Sequence, residues 1–233
     1  MSKKILVLAL IAGASFQPIA GAQQKKAPIA GSEVIPVDPS VKIGKLSNGL
    51  TYYIRKNAEP KDRAVLYMVV KAGSLMETDA QQGLAHFAEH MSFNGTKDFP
   101  KNELINYLQK AGVKFGADLN AYTSFDQTVY QLPIPTDSAA LFHNGFKILA
   151  NWAGYVSMED AEIDAERGVI VEEERARGKN AQSRMQKEVL PVLLKGSRHA
   201  DRLPIGQLDV IQHFKKEEMR NFYRDWYRPN LRP

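Results

Sequence analysis

The chain has 233 residues, an apolar share of 44% and a formal charge of +5, the profile of an ordinary globular protein of one or two domains. It has no cysteine, which excludes disulfides and a lipid-attached N-terminus. Its lysines and arginines are scattered without interleaved aromatics, which argues against a nucleic-acid surface.

Residues 1–22 read as a secretory signal peptide. Lys3-Lys4 precede the apolar run Ile5 to Ala12, and Ala20-Gly21-Ala22 fits a small-x-small cleavage site. The run is too short to span a bilayer comfortably, and no other stretch looks transmembrane. The expectation is a secreted or periplasmic protein with no membrane span after cleavage. Losing Lys3 and Lys4 leaves a mature charge of about +3, a mild bias. Gln23 to about Ser40 is polar and punctuated by Pro28, Pro36 and Pro39, an extended lead-in over 23–40.

From there the elements alternate. Gly49 to Arg55 reads as a strand after an Asn48-Gly49 turn, and Ala64 to Val70 as a second. Ala80 to Phe93 reads as a helix, with Thr78 or Asp79 as N-cap and Asn94-Gly95 as the stop. Its apolar stripe is Leu84, Phe87, Ala88 and Met91. Lys101 to Ala111 is a helix after Pro100. Phe115 to Ala121 and Gln127 to Pro133 read as strands around a turn at Ser124 to Asp126. Asp137 to Tyr155 is a long helix whose apolar face is Leu141, Phe142, Phe146, Leu149 and Trp152. Glu159 to about Leu194 is another, broken or bent near Gly168 or Gly178. Lys216 to Trp226 is the last. This order predicts an α+β fold, mostly antiparallel sheet with helices packed on one face.

The chemistry concentrates in the first of these helices. His86 and His90 lie one turn apart on one face. Two imidazoles there can hold one metal ion. Glu89 projects to the same side, within reach of a metal-associated water; the pattern is His-x-x-Glu-His. A catalytic zinc takes three protein ligands, often including a carboxylate. The best candidates lie in Glu166 to Glu174. Glu166 and Glu173 are two helical turns apart and share a face with Val169 and Ile170. Glu172 and Glu174 look solvent-facing, and read alone such a charge run is usually a solvated face. His143, His199 and His213 have no partner at ligand spacing and read as structural.

These residues carry a resemblance. His86-x-x-Glu89-His90 followed by Glu166-Arg167 and Glu173 resembles the insulinase/pitrilysin metallopeptidases. So do Gly83 to Thr96, Asn120-Ala121-Tyr122-Thr123, Thr128-Val129-Tyr130, Pro204-Ile205-Gly206 and Trp226-Tyr227-Arg228-Pro229. It covers about Val41 to Leu231 and is closest to exported bacterial members.

The resemblance implies a family catalytic domain over 41–233. It implies Zn2+ held by His86, His90 and Glu173, with Glu89 as general base and Glu166 as a supporting carboxylate. It implies that the edge at Asn120, Ala121 and Tyr122 pairs with a peptide or small-protein substrate through its main chain. The interval from His90 to Glu173 is a few residues longer than in familiar members. That leaves Glu172 as an alternative, although the seven-residue step from Glu166 favours Glu173. Relatives carry a second homologous domain, and this sequence stops where the family would enter another strand. The reading is therefore a zinc endopeptidase, truncated at its C-terminus, with a non-catalytic or half-site zinc subunit as the alternative.

Overall fold

Alternating side chains in two apolar strands set the sheet that supports the site. In the computed structural model, which describes residues 36–101, 103–113 and 120–231, β1 (Val41–Lys45) and β2 (Thr51–Arg55) form an antiparallel hairpin with Ile43 opposite Tyr53. β3 (Arg63–Val70), β4 (Asn120–Thr123) and β5 (Thr128–Pro135) form a separate antiparallel sheet in the order β3-β5-β4. Leu66 pairs with Leu132 and Met68 with Tyr130. Successive strand residues point to opposite faces, so Met68, Val70, Tyr130, Leu132 and Ile134 are buried while Val65 and Tyr67 face outward, exposed. The expected signal peptide, most of the expected lead-in and most of the strand expected from Phe115 lie outside the described residues. The described residues from Pro39 onward pack as one unit.

Seven helices follow among the described residues: α1 (Leu84–Asn94), α2 (Glu103–Lys110), α3 (Ala139–Gly154), α4 (Asp160–Gly178), α5 (Ala181–Leu193), α6 (Leu208–His213) and α7 (Lys216–Trp226). α1 is central and packs against β4, β5, α4 and α7. Nine of its eleven residues are buried, more than the single stripe expected from its sequence. Its second half is pinned from below. Trp152 Nε1 donates to the Ser92 carbonyl at 3.0 Å. Ser92 Oγ donates to the Ala88 carbonyl, so the Tyr130 hydroxyl donates to Ser92 Oγ at 3.0 Å and accepts from Tyr227 at 2.6 Å. No described helix is long and apolar enough to cross a membrane.

Several local expectations are corrected. Thr78 caps a short 3-10 turn at Asp79–Gln81, with a reciprocal capping box to Gln81. α1 starts later, at Leu84, because left-handed Gly83 (φ 102°) interrupts the chain. The α4–α5 break falls just after Gly178, one of the two positions expected, where the Asn180 side chain accepts from Gln182 N at 2.8 Å to start a new helix. Gly168 lies inside α4. On α3, Phe142 and Phe146 are 37% and 52% exposed. The helix meets the sheet through Gly145 instead, where a Cβ would lie 3.0 Å from Leu66 Cδ1 and 3.3 Å from Ile134 Cδ1. That close approach rotates Ile148 and Trp152 inward and leaves His143 exposed.

Candidate metal centre

α1 brings His86 and His90 together with Nε2 atoms 3.2 Å apart and rings edge-on at 74°. α4 crosses it with Glu166 and Glu173 on the facing side. Arg167 holds α4 there. Its guanidinium donates to the carbonyls of Ile211 at 2.6 Å and Phe214 at 2.8 Å. It also lies 3.8 Å over the Phe214 ring, and Phe87 of α1 meets that ring edge-on. Phe214 is thus a wedge shared by the histidine helix and the acid helix.

Glu173 Oε2 lies 3.6 Å from His86 Nε2 and 3.4 Å from His90 Nε2. These three residues can each offer one donor atom to a common metal ion. Three donors on tetrahedral zinc, with bonds of about 2.0–2.2 Å, sit about 3.3–3.6 Å apart. The observed triangle fits that requirement. The ring nitrogens also need a cation or proton between them, since two bare lone pairs facing at 3.2 Å repel. Glu172 points away to Arg175 and is exposed, so the geometry favours Glu173 as the donor. Glu174 is less exposed than expected and pairs with Lys187 at 2.7 Å. Val169 is exposed, and of the two apolar residues between the acids Ile170 is the buried one.

The surrounding groups orient this triangle. His90 Nδ1 donates to Glu166 Oε1 at 2.7 Å, which directs its Nε2 toward His86. Asn94 donates to the other oxygen of Glu166. Burial acts to lower the His90 pKa, but hydrogen bonds to Glu166 and Glu173 outweigh it and raise the pKa to about 9. For His86, burial and the neighbouring His90 lower it to about 4. His86 Nδ1 is buried and has no hydrogen-bond partner among the described residues. The hydrogen bond from His90 is the main cause holding Glu173 at about 2, against its partial burial. Burial pushes Glu166 up, yet the hydrogen bonds of His90 and Asn94 bring it below the usual carboxylate range.

Glu89 is buried beside the triangle, and burial raises its pKa despite a hydrogen bond from Thr123. Thr123 Oγ1 donates to Glu89 Oε2 at 2.6 Å. Among the described residues β4, which carries Asn120, Ala121 and Tyr122, pairs with a strand on one side, β5. Ala121 faces Tyr130 on the inner side. Tyr122 alternates to the outer face, away from the metal cluster, and its side chain is exposed. Thr123, Asn94 and Arg167 were missed as site-building residues because a hydroxyl, an amide and a guanidinium have no ligand spacing of their own. The one available signal was their adjacency to the motifs.

The family model for insulinase (peptidase family M16) matches residues 52–203. The chain is 43% identical over 196 residues to the probable zinc protease PqqL of Escherichia coli, covering 84% of this chain and 21% of that protein. It is 40% identical over 196 residues to PqqL of Haemophilus influenzae, with the same coverages. The crystal structure of the periplasmic protease PqqL from Escherichia coli superposes with a TM-score of 0.82 at 42% identity, covering 85% of this chain and 22% of that one. The chain therefore spans about a fifth of the length of these relatives. By this match and these identities, the chain belongs to the insulinase family, peptidase family M16.

Proposed function

We propose that this chain carries the catalytic site of a zinc-dependent metalloendopeptidase that hydrolyses peptide bonds in extended peptides or small proteins. The observation that carries the reading is a buried, oriented carboxylate, Glu89, beside three metal donors at zinc-like separations. The relatives' names as zinc proteases support it.

His86, His90 and Glu173 hold the ion, and Glu166 fixes the tautomer and orientation of His90. Zinc, when bound, supplies the positive charge that acidifies water and polarises a carbonyl. Glu89 takes a proton from the attacking water as the new C–O bond forms. It then returns that proton to the amine nitrogen as the C–N bond breaks. Thr123 occupies Glu89 Oε2, which leaves Oε1 for the water. The edge of β4 aligns a substrate strand by main-chain hydrogen bonds. Sequence at residues 1–22 and the periplasmic PqqL relative support export to the periplasm or beyond.

A second reading keeps the metal site and makes turnover depend on a further homologous domain or subunit. What favours it is that the chain spans about a fifth of its relatives' length. Purified protein incubated with quenched peptides, with and without a chelator, separates the two. Chelator-sensitive turnover that Glu89→Gln abolishes while zinc stays bound supports the endopeptidase. Zinc binding without turnover until a partner is added supports the second reading. Full turnover in Glu89→Gln refutes the mechanism.

A further inference from the structure

Glu77 is fully buried, at 0% exposure, and the chemistry above does not use it. Its carboxylate accepts from the backbone N–H of Gly83 at 3.0 Å and of Ala85 at 2.8 Å. These belong to the N-cap and first turn of α1, where N–H groups lack helical partners. Gly83 offers no side chain to satisfy them. Glu77 therefore caps α1 from six residues upstream through these two hydrogen bonds; burial outweighs their preference for the ionised form and pushes its pKa up to about 8.

The cap is itself held from the distal part of the chain. Arg198 and Arg202 both donate to the Glu77 carbonyl, Arg202 through Nε at 3.3 Å. Ser74 Oγ donates back to the Arg202 carbonyl at 2.6 Å. On the other side, a Cβ on Gly206 would lie 2.4 Å from Gly83 Cα, and one on Gly83 would lie 2.5 Å from Ile211 Cδ1. The start of α1 is thus gripped between the Glu77 carboxylate and the 198–211 segment. His86 follows Ala85 directly, whereas His90 lies in the half of α1 pinned by Ser92, Tyr130 and Tyr227.

We propose that Glu77 is a positioning residue for the metal centre: its cap on the first turn of α1 sets the placement of His86 relative to His90, and Arg198 and Arg202 hold the cap in place. This rests on the assignment of His86 as a metal ligand. Loss of the cap unwinds the first turn and moves His86, while His90 stays.

The test is a cobalt(II) titration of the full chain, read by visible absorption, with folding followed by circular dichroism. Glu77→Gln and Glu77→Ala are expected to bind cobalt about 10–100-fold more weakly with an altered d–d band, and Glu77→Asp to recover part of the loss. Ile148→Ala, a core change on α3, is the control. It lowers thermal stability and leaves the cobalt spectrum unchanged. Wild-type affinity and spectrum in folded Glu77→Gln overturn the proposal, as does an equal loss in Ile148→Ala. If Glu77→Gln does not fold, Arg198→Met carries the test: a several-fold loss supports the proposal and unchanged binding overturns it. His86→Ala in the same titration reads the ligand assignment separately. Unchanged binding there removes the metal reading and this proposal with it. Lost binding there, with unchanged binding in Glu77→Gln, removes this proposal alone.

Discussion

Thr123 donates its hydroxyl proton to Glu89 across 2.6 Å, joining the end of β4 to the acid of the histidine helix. That hydrogen bond favours the ionised carboxylate, while burial favours the neutral one. Thr123→Val keeps the shape and removes the donor. Glu89 then moves further up, and its base form needs higher pH. The acidic limb of the kcat/KM profile shifts to higher pH, and kcat/KM near neutrality falls about tenfold, as a lost hydrogen bond to a charged group implies. Zinc content measured alongside stays at wild-type level.

Glu166→Gln tests the support behind His90. The carboxylate accepts from both His90 and Asn94. Its neutral replacement no longer steers the ring by charge. Zinc affinity is expected to fall about 10–100-fold, measured by competition with a chromophoric chelator. Folding midpoints in the presence of a chelator fall as well, because His90 loses its charged partner in the metal-free protein.

Metal binding should release about one proton near pH 7. His90 is held at about 9 and so carries a proton there, whereas His86, at about 4, is already neutral and Glu173, at about 2, already ionised. Apparent affinity therefore rises with pH until about 9 and then levels. Calorimetry in two buffers of different ionisation enthalpy counts the proton. The metal-stripped protein runs the opposite way. The His90 pKa is raised above the ordinary histidine value of 6.5, so its stabilising contribution is fully present below 6.5 and is lost as pH rises through about 9. Urea denaturation with a chelator across that window reads the loss.

Tyr130→Phe deletes the hydroxyl that donates to Ser92 and accepts from Tyr227 beneath α1. Ser92 Oγ loses a donor and the buried Tyr227 hydroxyl loses one of its partners, at a cost of about 1–3 kcal/mol. Urea unfolding at fixed zinc measures it.

The helix of the histidines and the two-turn step from Glu166 to Glu173 were legible because both follow from residue spacing on a helix. The structure brings these residues together as that spacing requires. What escaped depends on contacts between distant segments. Phe142 and Phe146 read as core because they are large and correctly spaced, but Gly145 has the closer fit to Leu66 and Ile134. Thr78 has the chemistry of a helix cap and uses it, on a shorter turn than expected. α6 is only six residues long, too short for a periodic signal. The role of Glu77 was not legible either, because nothing local shows that its partners are the amides of Gly83 and Ala85.

Arg167 gives the assembly an order in time. The helix bearing Glu166 and Glu173 is moored to carbonyls at Ile211 and Phe214. A ribosome emits both histidines and both glutamates before those mooring points exist. The face-to-face placement of these four residues is therefore complete only when this later segment has folded back on α1 and α4 around Phe214.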